Sequence, residues 1–221
     1  MKKKVGRPRE FDRDAALQAA MYVFWEKGYD GASMKDLTKS MGINSPSLYS
    51  EFNDKKSLYL ESIECYVSKD AYAPLVAFET EPDIKKAIEL YIKTVVNHST
   101  AHDSGAKGCF LSSCVSTTAG VVDGIDKLLQ KSATEADKRI ARRFELEKAR
   151  GVLPHNFPSL ERARLMFDLR EGYVFRARSG VSATSMLSDI KFRVESILAP
   201  VRVRKLRVVL NHKYQRKLAN V

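Results

Sequence analysis

Apolar side chains recur along this chain at spacings of three and four, the period of helices that bury one face. Ala16, Leu17, Ala20, Phe24 and Trp25 predict a first helix from about Asp14 to Lys27, ended by Gly28-Tyr29-Asp30-Gly31. Leu37 and Met41 give a short second helix its inward stripe, and Leu48 and Phe52 do the same for a third. Asp54-Lys55-Lys56 opens a fourth that runs through Leu58, Tyr59, Ile63 and Tyr66. Further on, Ile84, Ala87, Ile88, Tyr91, Ile92 and Val95 share a helical face, followed by a break from Gly105 to Gly108. The small, apolar stretch Cys109 to Ala119 predicts one buried helix, and Ile125 to Leu146 a longer one closed by Gly151 and Pro154. Helices over Ser159–Arg178 and Ala183–Leu198 complete the pattern. Strand signals and internal repeats are absent, so the expected fold is all-α.

The segment Ser33 to Phe52 reads as helix, turn, helix. Ser33 can accept an orphan backbone N–H while Asp36 sits in the electropositive first turn. Gly42 can take the positive φ that closes a helix, and Ile43 can plug the angle between the two. Ser45 is the expected N-cap of the next helix, with Pro46 at its first position. Its outer face would carry Ser45, Ser47, Tyr49, Ser50 and Glu51. Short polar groups let a helix approach base edges in a major groove, and Tyr49 can reach a phosphate. Two ordinary core helices with serines facing water would give the same pattern over this segment alone.

Charge sharpens the picture by its placement. The net charge is +11, yet residues 10–70 hold seven basic against eleven acidic side chains. The excess lies in Lys2, Lys3, Lys4, Arg7 and Arg9 at the N-terminus and in seven basic residues from Pro200 onward. Any nucleic-acid affinity would therefore come from focused contacts plus an arm in which Arg7 or Arg9 enters a minor groove or follows phosphates. Residues 200–221 are expected to form a basic, poorly ordered tail, or a weak amphipathic helix through Val203, Leu206, Leu210 and Tyr214. No segment is apolar enough for a leader or a membrane span, and three cysteines in 221 residues point to a reducing cytoplasm without a disulfide scaffold. Gly-rich phosphate loops, paired-carboxylate motifs and nucleophile signatures are missing, which argues against an enzyme, and no cofactor is implied.

Several motifs in order and spacing carry a family resemblance: Gly6-Arg7-Pro8-Arg9-x-Phe11-Asp12, Ala20-x-x-x-Phe24-Trp25-x-Lys27-Gly28-Tyr29-x-Gly31, Asp36-Leu37, Met41-Gly42-Ile43, Ser47-Leu48-Tyr49, Phe52 and Asp54-Lys55-x-x-Leu58. Residues 5–66 thereby resemble the N-terminal domain of TetR-family transcriptional repressors. The resemblance implies a basic arm over 1–10 and a helix-turn-helix domain over 11–66. A ligand-binding and dimerisation domain over 67–199 and the tail over 200–221 would follow. The helix from Pro46 to Phe52 would be the recognition helix, with Lys55, Tyr49, Ser33, Met34 and Lys35 at or near the phosphates. The last two helices, joined by Ala177-Arg178-x-Gly180-x-Ser182, resemble the pair through which such repressors form a four-helix dimer interface, suited to a palindromic double-stranded operator. No membrane partner is implied.

A small-molecule effector bound inside the second domain is also implied. Its candidate walls are Tyr66, Phe78, Tyr91, Phe110, Cys114, Phe144, Phe167 and Tyr173, although aromatics at helical spacing also build plain core. Cys109, after Gly108 at an expected helix start and close to Lys107, is the candidate for a redox- or electrophile-sensitive thiol, against the alternative of inert packing. His98 and His102 lie four apart with Asp103 nearby, but are read as exposed side chains at a helix end, not a metal site. The expected function is a ligand-released homodimeric repressor. A thiol-sensing repressor and a sequence-blind architectural DNA binder are the alternatives.

Overall fold

A computed structural model describes residues 11–69, 71–101, 105 and 107–200. The arm with Arg7, His102 and residues 201–221 lie outside them. The described residues form helices and no strand: α1 (Arg13–Gly31), α2 (Met34–Met41), α3 (Ser45–Phe52), α4 (Lys55–Lys69), α5 (Ala73–Thr80), α6 (Ile84–Thr100), α7 (Phe110–Ser113), α8 (Ile125–Ala149), α9 (Ser159–Arg178), α10 (Ala183–Leu187) and α11 (Ile190–Leu198). A 3-10 turn, Val115–Thr118, follows α7. None of these helices is long and apolar enough to cross a membrane.

The local starts follow from side-chain oxygens. Asp12 accepts from the Asp14 and Ala15 amides at 3.0 and 3.2 Å and opens α1. Helix α1 extends past the expected end, with a kink at Gly28. Helix α3 is capped one residue earlier than expected. The Asn44 side chain, on extended backbone, accepts from the Ser47 amide at 2.8 Å, so Ser45 already lies inside the helix. Asn and Ser are equivalent caps in energy. The backbone one residue upstream decided between them.

Two apolar cores hold the helices. The first is an aromatic cluster in which Trp25 meets Tyr66 at 5.3 Å and Phe110 at 5.8 Å, and Phe24 meets Tyr59 at 4.9 Å. It is not confined to α1–α4, because Cys109, Phe110, Cys114, Val115 and Val122 are buried in it as well. The second lies among α5, α6, α8, α9, α10 and α11 and contains Phe78, Tyr91, Ile140, Phe144 and Ile197. Helix α4 passes through the expected boundary at residue 66 without a break.

Two expected helices are interrupted. Cys109–Ala119 forms four-residue α7 and the 3-10 turn instead of one helix. The hydroxyls of Ser116, Thr117 and Thr118 bond back to the carbonyls of Ser112, Cys114 and Val115 at 2.7–2.8 Å and compete with the helical ladder. Ala183–Leu198 divides into α10 and α11. The Ser188 hydroxyl turns back to the Ser185 carbonyl, and Asp189 pairs with Arg193 at 2.9 Å as α11 begins.

Candidate DNA-reading face and interior cavity

Helix α2 begins with a reciprocal capping box. The Asp36 amide donates to Ser33 Oγ at 3.1 Å, and the Ser33 amide donates to Asp36 Oδ2 at 3.2 Å. Lys27 of α1 sits 2.7 Å from the other Asp36 oxygen and thereby ties α2 to α1. Lys27, aided by Ser33, holds this carboxyl down at about 2. Gly42 adopts φ 67° and ends α2, so the chain turns directly into α3.

The orientation of α3 is set from both sides. Leu48 and Phe52 are fully buried beneath it. At its far end, Arg13 Nε lies 2.7 Å from Glu51 Oε1 and Arg13 Nη2 lies 2.5 Å from Glu61 Oε2 of α4. The same guanidinium stacks 4.7 Å over the Phe52 ring. Glu51 is therefore turned toward the α1–α4 junction and away from the outer face on which the sequence pattern placed it. What remains outward on α3 is Ser45, Pro46, Tyr49 and Ser50, with Ser47 partly covered. Ser33 and Lys35 are exposed and Met34 is half-buried on the adjacent start of α2. Lys55 is half-buried, its ammonium 4.8 Å over the Tyr29 ring. Tyr29, which sequence reasoning passed over, thus shares a corner with Lys55. Its place just past the Gly28 kink of α1, outside the apolar stripe, was the available signal.

A cavity of about 290 Å³ lies among α5–α9, lined by Tyr72 and Leu75, Tyr91, Leu111 and Ser112, Ala133 and Ala136, and Phe167, Arg170 and Glu171. Of the expected wall aromatics, Tyr91 and Phe167 line it. Tyr66 and Cys109 line a cleft of about 20 Å³ that shares Ala71, Pro74 and Arg170 with it. Phe78 and Phe144, 5.7 Å apart, are core groups instead, as are Phe110 and Cys114. Tyr173 lines a third cleft, with Arg176 and Arg193. Helical spacing reports that a side chain is buried, not whether a void or another ring lies beyond it. Burial holds the Tyr91 phenol protonated, far above its ordinary range.

The polar chemistry of the cavity centres on Arg170, which sequence reasoning also missed. A cation between Met166 and Tyr173 on a buried helical stripe was its signature. Arg170 pairs with its neighbour Glu171, and its Nη1 donates to Ser112 Oγ at 3.3 Å. Its Nη2 donates to Cys109 Sγ at 3.1 Å, and the Tyr66 hydroxyl donates to the same sulfur at 3.2 Å. Burial pushes this thiol up, but the Arg170 charge and the Tyr66 hydrogen bond outweigh it and hold Cys109 below its ordinary value. The expected causes were a helix dipole and Lys107. Helix α7 is only one turn long and Lys107 is exposed, so the arginine takes that role. At Cys114 the only cation effect among the described residues is a weak, distant one from Arg178, which burial outweighs. The Cys114 thiol donates to the Phe24 carbonyl at 3.0 Å, and burial pushes it up. His98 is exposed, and among the described residues no group of three metal-ligating side chains forms.

Apolar side chains also remain outside. Phe175 of α9 is 73% exposed and Phe192 of α11 is 69% exposed.

Comparison with known proteins bears on these features together. The family model described as "Bacterial regulatory proteins, tetR family" matches residues 16–62, from α1 into α4. The HTH-type transcriptional repressor ComR of Escherichia coli is 30% identical over 190 residues, covering 85% of this chain and 89% of ComR. Among solved structures, a cysteine mutant of the TetR-family regulator CifR complexed with 26-bp operator DNA has a TM-score of 0.75 at 27% identity, covering 86% of this chain and 99% of that one. The reduced form of E. coli NemR shares the fold, with a TM-score of 0.69 at 17% identity, covering 87% of this chain and all of NemR. A capped helix-turn-helix with a small, polar outer face, continuous with a helical domain across nearly the whole length of a repressor relative, establishes that this chain belongs to the TetR family of DNA-binding transcriptional repressors.

Proposed function

We propose that the protein acts in the cytoplasm as a homodimeric repressor of a palindromic operator and is released from it by a small effector bound in the interior cavity. The observation that carries this reading is the outward face of α3, small and polar around Tyr49, on a helix whose orientation is locked by Arg13. In it, Ser45, Pro46, Ser47 and Ser50 meet base edges, while Tyr49, Lys55 and the α2 start at Ser33, Met34 and Lys35 meet phosphates. Arg7, in the basic arm of residues 1–10, adds a minor-groove or phosphate contact. Residues 11–66 are the reading unit and 67–199 the regulatory unit, with 200–221 as a basic extension.

The dimer reading rests on the exposed aromatics of α9 and α11. Pairing two copies through Phe175 and Phe192 would bury them and present two recognition helices, which match successive major grooves when about 34–36 Å apart.

The effector reading rests on the position of α7. Leu111, Ser112 and Ser116 line the cavity, whereas Phe110, Cys114 and Thr118 are embedded in the aromatic core of the reading unit. Cys114 holds the Phe24 carbonyl of α1, and Thr118 meets the Tyr59 hydroxyl of α4 at 3.2 Å. A ligand that displaces α7 would therefore move α1 and α4, and one that binds the displaced conformer more tightly shifts the population away from the operator-competent spacing.

The test is selection of preferred duplexes from a random pool at near-physiological salt. An enriched palindrome, bound by two chains, is the expected result. A pool that stays random refutes sequence-specific reading and favours an architectural DNA binder.

A further inference from the structure

The sulfur of Cys109 is a joint between three elements. It belongs to the residue preceding α7, it accepts from Tyr66 of α4 at 3.2 Å, and it accepts from Arg170 of α9 at 3.1 Å. The Cys109 amide donates to Ser113 Oγ at 3.4 Å, and His98 of α6 lines the same cleft. Among the described residues no carboxylate bonds to the sulfur; Glu171 pairs with Arg170 instead. The fit is close. Gly108, at φ +87°, has Ser113 Oγ only 2.5 Å from where a Cβ would stand. Cys109 itself is 4% exposed. Its cleft would admit little more than one water, but Arg170 separates it from the 290 Å³ cavity and forms part of both walls.

We propose that the cavity and Cys109 together form a covalent capture site for small α,β-unsaturated carbonyl compounds, and that the adduct releases the protein from its operator. This deepens the effector-released reading above and rests on it. The apolar wall of Tyr91, Leu111 and Phe167 takes the carbon skeleton. Arg170 turns from the sulfur to hold the carbonyl oxygen, and that turn opens the wall between the cavity and the Cys109 cleft. The Cys109 thiol releases its proton to solvent, and the resulting thiolate attacks the β-carbon. One C–S bond forms, the carbon–carbon π bond breaks, and its electron pair moves to the carbonyl oxygen as an enolate beside the guanidinium. Water then protonates the α-carbon, so no oxidant or reductant is consumed. The substituted sulfur can no longer fit between Tyr66 and Arg170. The side chain forced aside on one flank is Tyr66 of α4, the helix that begins beside the recognition helix.

The geometry separates the three cysteines. Cys114 is buried, with its proton committed to the Phe24 carbonyl, and Cys65 is partly exposed, with no arginine among the described residues hydrogen-bonded to its sulfur. The experiment exposes the full-length protein to methyl vinyl ketone. It follows alkylation of each cysteine by mass spectrometry across pH, and binding to the selected duplex in parallel. Butanone, of similar shape but without the reactive double bond, is the control. Cys109 should react at least about tenfold faster than Cys114 and retain its reactivity to lower pH than an ordinary small-molecule thiol such as N-acetylcysteine, because the thiolate is the nucleophile. Arg170→Gln should slow Cys109 by about tenfold, the effect of one pKa unit on thiolate fraction, and Arg170→Lys should recover much of the rate. Cys109→Ser should bind the duplex and resist release by methyl vinyl ketone, while Cys65→Ser should respond normally. Preferential labelling of Cys65, an undiminished rate in Arg170→Gln, or release of Cys109→Ser would overturn the proposal. Equal release by butanone would overturn covalent capture while leaving an effector cavity standing. Complete Cys109 alkylation with duplex binding intact would overturn the regulatory step, whereas a duplex pool without sequence preference would instead remove the underlying repressor reading.

Discussion

Substituting Arg13→Gln tests whether the reading helix is held from behind. The side chain is 26% exposed, and its partners Glu51 and Glu61 are 18% and 32% exposed, so solvent screens the two ion pairs only in part. About 0.5–1 kcal/mol for each pair is a reasonable scale at this burial. The cation over Phe52 adds about 0.5 kcal/mol. Stability should therefore fall by about 1.5–2.5 kcal/mol, visible as a lower urea midpoint with an unchanged slope. Operator binding should suffer separately. Without Arg13, less positive charge offsets the Glu51 carboxylate at the C-terminal end of α3, where it weakens attraction to the phosphates and loosens the helix. A unit charge some 6–8 Å away across water-rich surroundings contributes about 0.5–0.7 kcal/mol, which is about two- to threefold in affinity. Adding Glu51→Gln removes that carboxylate, so the double variant should recover most of the DNA affinity while remaining less stable than the parent. Duplex titrations and urea unfolding on the parent, both single variants and the double variant supply the cycle. Unchanged affinity in Arg13→Gln, or no recovery in the double variant, would refute the reasoning.

Three further outcomes follow from the same geometry. Tyr49→Ala should weaken all duplexes alike and lower the salt dependence of binding, while Ser47→Asn should change which sequences are enriched; parallel, sequence-blind losses from both would count against α3 as the reading helix. Phe175→Glu should abolish dimerisation in sedimentation experiments and with it cooperative binding to a palindrome, and a dimer of parental stability would place the interface elsewhere. Asp36 is held at about 2 in the folded protein against an ordinary 3.8, so its contribution is fully present above the ordinary value and is lost as pH falls toward 2. Asp36→Asn should flatten that part of the acid-unfolding profile, and an identical profile in the variant would disprove the Lys27 linkage.

Much of the reading unit was legible from local signals alone. The Ser33–Asp36 box, Gly42, and the pairs Leu37/Met41 and Leu48/Phe52 each act within a few residues, through hydrogen bonds and helical periodicity that any folded context preserves. The all-helical fold follows from the same periodicity. The interior was less legible. Phe78, Phe144 and Tyr91 share one pattern, yet only Tyr91 borders the cavity, because a void is defined by side chains that arrive from five different helices. The interruption of 109–119 came from hydroxyls competing locally, outweighing an apolar composition that favoured a continuous helix.

By itself, then, the sequence determined the all-helical character, the four helices of the reading unit, where the turn between α2 and α3 falls and which short polar face α3 offers, since these depend on neighbours along the chain. Only the tertiary structure decided that Glu51 turns to Arg13, that Lys55 stacks on Tyr29, and that Cys109 meets Arg170 across 61 residues. Charges and thiols act through space over a few ångströms, and which of them come that close is settled by packing.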